Sequence, residues 1–592
     1  MKVLLVAINA KYIHSNKAVY SLFSYAADLL SDEYNIEIAQ YNINQQPLDI
    51  LSDIYNRKPD VIAISCYIWN MNIVRILLED IDSVLPNADV WLGGPEVSFD
   101  SEKSLREYDA LTGVMIGEGE ETFRELVLFY KNFQTFSQNN NKKTIKESGK
   151  IIYSSYIYDR LKNIKGLCIR TDNNQDTIFT EEREITDINS IPFIYDTVGL
   201  DKFENQIIYY ESSRGCPFRC SYCLSAIDKT VRLRNLEIVK KEIKFFLDNN
   251  VKQVKFIDRT FNCNKEHAIS IWKYILENDN GVTNFHFEVA ADILTDDEIE
   301  IISKMRPGLI QLEIGVQSTN PDTIREINRV MNLDKVKENV RKIKSFRNTH
   351  QHLDLIVGLP YEDKNSFINS FNDVHNMNPD QLQLGFLKVL KGSVIESKKE
   401  EYGLKYHNTP NYEVFSTKWI SYNEVLELKK IEEMVELFYN SGQFITILKL
   451  LFACFNTPYE LYEALANYYE EKGYYINTPA RSYKYNVLLE FAKRYIDNTE
   501  LIKEALTFDL YLREKCKSRA DFAKDLTVYK EKIRKINDIY NSDKKKHIEV
   551  FNYPVWENSY ELMSNKMQEE KYVLFDYDNR DKLSFNAGYT LV

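Results

Sequence analysis

Arg214-Gly215-Cys216-Pro217-Phe218-Arg219-Cys220-Ser221-Tyr222-Cys223 sets three cysteines at C-x-x-x-C-x-x-C spacing, shortly after the apolar, strand-like run Gln206-Ile207-Ile208-Tyr209-Tyr210. Three thiolates on one tight loop make a cluster site. A closed structural zinc site wants four ligands, and a complete iron–sulfur set is likewise four cysteines. No fourth cysteine lies nearby in the sequence. A cubane cluster held by Cys216, Cys220 and Cys223 would leave one iron without a protein ligand, and an open metal position is where a substrate or cosubstrate binds. The competing readings are a zinc knuckle lacking one ligand and three unrelated buried cysteines.

The chain has 592 residues, too many for one core, and should divide into about three or four domains. Its net charge of −13 and pI near 5.4 argue against a large nonspecific nucleic-acid footprint, while leaving room for a local basic groove. Eight cysteines, three of them in one loop, are not a secreted disulfide framework. Met1 to Ile8 is short for a signal sequence and reads as a buried strand, and no stretch approaches the roughly 20 apolar residues that span a bilayer. These features predict a soluble protein of the reducing cytoplasm.

Residues 1–135 alternate strand-like and helix-like runs: Lys2 to Ile8, Val19 to Leu30, Asn35 to Tyr41, Val61 to Cys66, Val74 to Leu85, Asp89 to Leu92, Val114 to Ile116 and Glu120 to Tyr130. The pattern predicts a doubly wound parallel sheet, Rossmann-like, whose ligands sit outside the carboxyl ends of the strands. The turns there include Asn9 to Asn16, Tyr67 to Asn70, Gly93-Gly94-Pro95-Glu96 and Gly117-Glu118-Gly119-Glu120. Glycines at such ends let backbone approach a bulky ligand, although ordinary strand-to-helix turns look the same.

Residues 136–201 read as a linker or connector, polar from Phe136 to Lys150, with a strand candidate at Gly166 to Arg170, a turn at Asp172-Asn173-Asn174 and a junction at Ile191-Pro192-Phe193. Residues 202–400 again alternate strand and helix, with polar groups at the strand ends: Asp258-Arg259-Thr260, Glu288, Glu313, Gln317-Ser318, Gly358-Leu359-Pro360, Lys388 and Lys391. Six strands are predicted, counting the one before the cysteines. Residues 401–592 read as mostly helical, around 422–439, 445–453, 459–469, 483–495, 502–512 and 520–539, with a terminal strand pair at 547–551 and 572–576 and a solvated charge run at Lys544 to Lys546.

The cysteine loop resembles the signature of the radical S-adenosylmethionine (SAM) enzymes, including the aromatic Tyr222 before the third cysteine. The G-G-P-E and G-E-G-E turns upstream are similar to the cobalamin-binding domain of one large radical SAM subclass. The resemblance implies a partial (β/α)6 barrel in the centre and three cofactors, a [4Fe-4S] cluster, SAM and cobalamin. It implies that Glu288 and Gln317 lie near the ribose or methionine end of SAM, that Gly358 lies near the adenine, and that Gly93, Gly94, Glu96, Gly117, Glu118 and Gly119 border cobalamin. Tyr67 and Trp69 are expected against the corrin, with core packing the alternative. His14 lacks the D-x-H-x-x-G context of an axial ligand, since Tyr12 stands two before it and Lys17 three after, so cobalamin is expected without a protein histidine on cobalt.

The activity this implies is reductive cleavage of SAM to a 5′-deoxyadenosyl radical that activates an unactivated C–H, followed by methyl transfer through methylcobalamin. An electron donor such as flavodoxin or ferredoxin would serve it. Rearrangement, cyclisation or oxidation without methylation stays open, as does a non-catalytic cobalamin or redox sensor. A tRNA-modifying methylthiotransferase needs three further amino-terminal cysteines, and only Cys66 and Cys168 precede the loop. No residue pattern identifies the substrate, small molecule or peptide, and no catalytic side chain is singled out. Because the cofactor sites are expected in separate domains, Cys220→Ala is expected to abolish the cluster and leave cobalamin binding largely intact. The carboxy-terminal domain is expected to cover the open face of the barrel and shape the substrate site.

Overall fold

Every residue from Val3 to Asn9 is buried, as befits the central strand of a sheet covered on both faces. That strand, β1 (Lys2–Asn9), pairs in parallel with β2 (Asn35–Asn42) and β3 (Val61–Ser65), and the sheet continues through β4 (Asp89–Gly93) and β5 (Leu111–Met115). The computed structural model describes the chain except residues 32–33, 141–144, 148–149, 153–154, 172–175, 228–229, 517 and 541–544; for 133–140, 145–147, 150–152 and 155–157 it describes the backbone alone. The predicted turn at Asp172-Asn173-Asn174 and Lys544 of the charge run lie outside the described residues. Contacts divide the chain into one unit of Met1–Phe287 and Lys388–Val414 and a second of Glu288–Leu387 and Phe415–Val592.

In the first unit five helices connect the strands of the sheet. They are α1 (Lys17–Tyr25), α2 (Pro47–Arg57), α3 (Met71–Val84), α4 (Ser101–Glu107) and α5 (Glu120–Asn140). Helix α3 shows the mechanism: Met71, Val74, Leu77, Leu78 and Ile81 form one buried stripe at three- and four-residue spacing. Helices α2 and α4 are absent from the sequence prediction. In α2 only Ile50, Leu51 and Ile54 are buried, and α4 is seven residues long, so neither carries a long apolar period.

The stretch 136–201 is more than a connector. Helix α5 runs through Asn140, and β6 (Leu167–Arg170) and β7 (Thr177–Phe179) add two antiparallel strands beside β5. The full order is β2-β1-β3-β4-β5-β6-β7. Cys168 packs in the core of this sheet, which is what recruits the segment.

All six expected barrel strands exist. In the first unit β8 (Ile208–Tyr210), β9 (Gln253–Phe256) and the start of β10 (Asn284–Val289) pair in parallel; in the second, β11 (Ile310–Gln317), β12 (His350–Val357) and β13 (Gln381–Phe386) do the same. Along β11, Ile310, Leu312, Ile314 and Val316 are buried while Gln311, Glu313, Gly315 and Gln317 are half-exposed, an alternation that makes one face polar.

The carboxy-terminal helices of the second unit dock on the edge of this sheet. The Asn440 amide donates to the Leu382 carbonyl (2.8 Å) and accepts from the Leu382 N–H (2.9 Å), satisfying the edge strand β13, and Lys364 on the helix Lys364–His375 pairs with Glu427 (2.7 Å). Helix formation around 520–539 is confined to Lys530–Ile539 after a short 3-10 turn. The terminal pair is a three-stranded antiparallel sheet, β14 (Lys546–Phe551), β15 (Lys571–Arg580) and β16 (Ala587–Leu591). No helix among the described residues is long and apolar enough to cross a membrane.

Candidate functional site

The cysteine loop hangs between β8 and a two-residue ladder in which Ser213–Arg214 pairs with Arg232–Leu233. Cys220 is buried, Cys216 and Cys223 are half-buried, and the Cys223 N–H donates to the Cys220 carbonyl (3.1 Å), folding the second half of the loop into a turn. Ile395 N–H holds the Ser221 carbonyl (3.0 Å). Among the described residues no disulfide forms. Cys263, a half-buried cysteine from elsewhere in the chain, lies within electrostatic reach of Cys216, and burial above all pushes its thiol up to about 11.

Beneath the loop, Ser212 donates its N–H (2.8 Å) and its hydroxyl (2.5 Å) to the buried Asp258 carboxyl, and His267 Nε2 meets the same hydroxyl at 3.2 Å. Burial raises Asp258 to about 6 and lowers His267 to about 4, so the imidazole is neutral. Thr260, two residues after Asp258, touches Cys216 Sγ through its hydroxyl (3.6 Å).

At the carboxyl ends of β3, β4 and β5 lies an apolar cavity of about 410 Å3 bordered by Ser65, Tyr67, Gly93, Gly94, Gly117 and Gly119. Gly94 has φ +112°, and a Cβ there would stand 2.5 Å from the Cys66 carbonyl oxygen; Gly117 has φ +77° and open space in front of it. Leu224 and Ile227, one and four residues after the third cysteine, line the same cavity. The cysteine loop, expected in a domain separate from this cavity, thus has its last residues on the cavity's lining.

Other residues expected at the cofactors also make contacts within the protein. Glu96 is buried beneath Lys391 (2.9 Å) and accepts a hydrogen bond from the Tyr412 hydroxyl; Lys391 also pairs with Asp100 (2.9 Å). Glu118 accepts from Arg232 (3.0 Å) and the Thr186 N–H (2.8 Å), and these partners with Arg214 hold its carboxyl down at about 2. Trp69 stacks on Tyr67 (centroids 4.3 Å, planes 7° apart) and donates to the Ile8 carbonyl (3.2 Å), so Tyr67 borders the cavity and Trp69 backs it. His14 is engaged by the Tyr209 hydroxyl (2.6 Å) on β8.

Sequence reasoning passed over the charged knot between the cavity and the loop. Arg214 reaches Glu118 (3.3 Å) and Glu120 (2.9 Å) in the G-E-G-E turn and Glu211 (2.9 Å) on its own strand end; Lys17 adds a 2.8 Å bond to Glu211, and Ser21 one of 3.1 Å to Glu120. Three carboxylates meet three cations here, counting Arg232. The Glu211 carboxyl lies well below the usual carboxylate range because Lys17 and Arg214 outweigh its burial. The only advance signal was an arginine directly before the loop.

In the second unit, Gln317 ends β11 in the left-handed region (φ +73°), and Gly358 follows β12 at φ +89°. Behind Gln317, Ser318 (2.6 Å) and Ser370 (2.9 Å) donate to the buried Glu362 carboxyl, which burial raises to about 7. Glu288 is half-buried on β10. Glu313 gathers with His352 and Asp354 of the neighbouring strand, His352 and Asp354 being 3.1 Å apart.

Residues 5–127 match the family model described as B12 binding domain, and residues 210–374 match that of the radical SAM superfamily. The chain thus carries a B12-binding segment followed by a radical SAM segment. Residues 400–575 match a further family, described as a protein of unknown function (DUF4080). An uncharacterized methyltransferase of Pyrococcus horikoshii is 24% identical over 347 residues, covering 57% of this chain and 69% of its own. The cobalamin-dependent radical SAM methyltransferase TokK of Streptomyces tokunonensis is 25% identical over 370 residues; the match covers 59% of this chain and half the length of TokK. The cobalamin-dependent SAM radical enzyme OxsB, in a structure with aqua-cobalamin and SAM bound, superposes with a TM-score of 0.56 at 14% identity over 91% of this chain and 80% of its own, a likeness of fold. Cys66 and Cys168 are both packed in the hydrophobic core of the first unit.

Proposed function

We propose that this chain is a cobalamin-dependent radical SAM methyltransferase acting on an unactivated C–H of an organic substrate. The observation that carries the reading is the shared wall: Leu224 and Ile227, one and four residues after the third cysteine, line an apolar cavity at the glycine-rich ends of a B12-binding sheet. The residues fit the groups. Cys216, Cys220 and Cys223 are three thiols on one loop, the donor set of a cluster with one open iron. Gly94 and Gly117 leave room that a side chain would take, and a cavity of about 410 Å3 suits an apolar portion of cobalamin. His14 is given no part in holding cobalamin, because it lacks the D-x-H-x-x-G context of an axial ligand; its Nδ1 is engaged by the Tyr209 hydroxyl. Glu288, Gln317 and Gly358 are assigned to SAM. When bound, the cluster supplies the electron that splits SAM and the cobalamin carries the methyl group.

The chain's own work is to bind, orient and exclude water. Cys220 anchors the loop from the buried side, Asp258 and Ser212 fix the strand end from which it springs, and Tyr67, backed by Trp69, presents a flat wall to the cofactor. The test is anaerobic reconstitution with iron, sulfide and hydroxocobalamin, followed by SAM and a one-electron reductant. Stoichiometric cobalamin, one four-iron cluster and 5′-deoxyadenosine support the reading, and methyl transfer from SAM to cobalamin completes it. A cluster without cobalamin affinity, or cobalamin binding without SAM cleavage, refutes it.

A further inference from the structure

Arg214 stands two residues before Cys216 and is the hub of the charged knot, touching two glutamates of the turn that borders the cavity and one on the strand that carries the cysteine loop. The knot is charge-balanced and mostly buried: side-chain exposure is 19% for Arg214, 8% for Glu120 and 11% for Glu211. A planar guanidinium in such a site fixes geometry as well as charge, because its donors leave in set directions. On the far side of the loop, Leu224 and Ile227 reach the same cavity that Gly117, Gly119 and Glu120 border. The cysteine loop is thus tied to the cavity at both ends, by ion pairs before Cys216 and by apolar contact after Cys223.

We propose that cluster assembly and cobalamin binding are thermodynamically linked in this protein, and that Arg214 is the positioning residue that transmits the linkage. This rests on the function proposed above. Ligation of Cys216, Cys220 and Cys223 restricts the loop. With Arg214 anchored on Glu118 and Glu120, that restriction holds Leu224 and Ile227 in the place where they line the cavity and narrows the fluctuations of that wall. A site whose wall is already in place binds its ligand more tightly, since the ordering cost has been met by the first ligand. Linkage is reciprocal: cobalamin must hold the cluster in place by the same factor. Loss of the anchor uncouples the two without removing a ligand of either.

The experiment is a pair of anaerobic hydroxocobalamin titrations, one on chelator-stripped protein and one on cluster-reconstituted protein, with iron content measured in parallel. Wild type is expected to bind cobalamin about tenfold more tightly with the cluster than without it, within the usual range of coupling. Glu118→Gln and Glu120→Gln keep shape and remove one charge each; both are expected to bring the two affinities together while iron content stays at the wild-type level. Leu224→Ala is expected to weaken cobalamin in both states and to reduce the ratio. A variant that only damaged the fold would weaken both states by one factor and leave the ratio unchanged, and that result overturns the role of the knot. Equal affinities in stripped and reconstituted wild type overturn the linkage itself. Wild type that takes up no cobalamin in either state overturns instead the function on which the linkage rests.

Discussion

Gly94→Ala and Gly117→Ala are the same chemical change at two turns of one cavity, and the structure assigns them different costs. At Gly94 the new Cβ would lie 2.5 Å from the Cys66 carbonyl oxygen and 3.2 Å from the Cys66 nitrogen. Neither neighbour is a flexible side-chain tip, so the turn itself must move by about 1 Å to reach ordinary contact. That movement pulls on the bond from the Cys66 N–H to the Gly93 carbonyl (2.7 Å), worth about 1 kcal/mol. The φ of +112° adds roughly 1–3 kcal/mol of backbone strain for an L-residue. The sum is about 2–4 kcal/mol, or a factor of roughly 30 to 1,000 in an equilibrium. At Gly117 the Cβ meets nothing within 4 Å, and φ +77° leaves only a strain of about 1 kcal/mol. The cost falls on stability where the turn stays put and on affinity where it moves, so both are measured: urea denaturation of the apoprotein and an anaerobic hydroxocobalamin titration. Gly94→Ala should lose at least about thirtyfold in one of the two, Gly117→Ala less than about tenfold in either. A Gly94→Ala protein that matches Gly117→Ala in both would refute the close-approach argument.

Cys220→Ala should abolish the four-iron signal and 5′-deoxyadenosine formation and, because Leu224 and Ile227 line the cavity, should also weaken cobalamin binding; wild-type cobalamin affinity in this variant would count against the shared wall. Glu362, raised from 4.5 to about 7 by burial, binds a proton more tightly folded than unfolded. Its contribution to stability is full below about pH 4.5 and lost as pH rises through about 7, on the order of 3 kcal/mol at most. In Glu362→Gln that part of the pH dependence of the denaturation midpoint should vanish; an unchanged slope rejects it. Arg234 and Glu242 form a buried pair (2.6 Å), with Arg234 also holding the Ile191 carbonyl (2.9 Å). Arg234→Ala should cost about 3–5 kcal/mol by stranding the carboxylate, measured by chemical denaturation, and Arg234→Ala with Glu242→Gln should recover part of it.

The strands and most helices of the first sheet were legible because their signal is local. Apolar runs such as Val61–Ser65 and stripes such as that of Met71–Val84 depend on neighbours a few residues away. Helices α2 and α4 escaped because short elements with few buried residues carry too little period to stand out. Strand β6 was anticipated at Gly166 to Arg170, but β7 was not, and the place of both in the first sheet was hidden for another reason. Their membership in the first sheet depends on Leu167–Arg170 meeting β5, a pairing across more than fifty residues that polar sequence in between obscures.

The site divides along the same line. The sequence by itself determined the cysteine loop, the glycine turns and the order of the B12-binding and radical SAM segments, since each is written within about ten consecutive residues and its chemistry is that of its own side chains. Tertiary structure alone decided which cations the glutamates of the glycine turns meet. Glu96 is claimed by Lys391 from 295 residues away and Glu118 by Arg232 from 114, whereas the glycines beside them stay on the cavity. It also decided that Leu224 and Ile227 close the cavity and that Cys263 comes near Cys216. A carboxylate finds the cation that the folded backbone brings within a few ångströms of it, and no spacing along the chain records that choice.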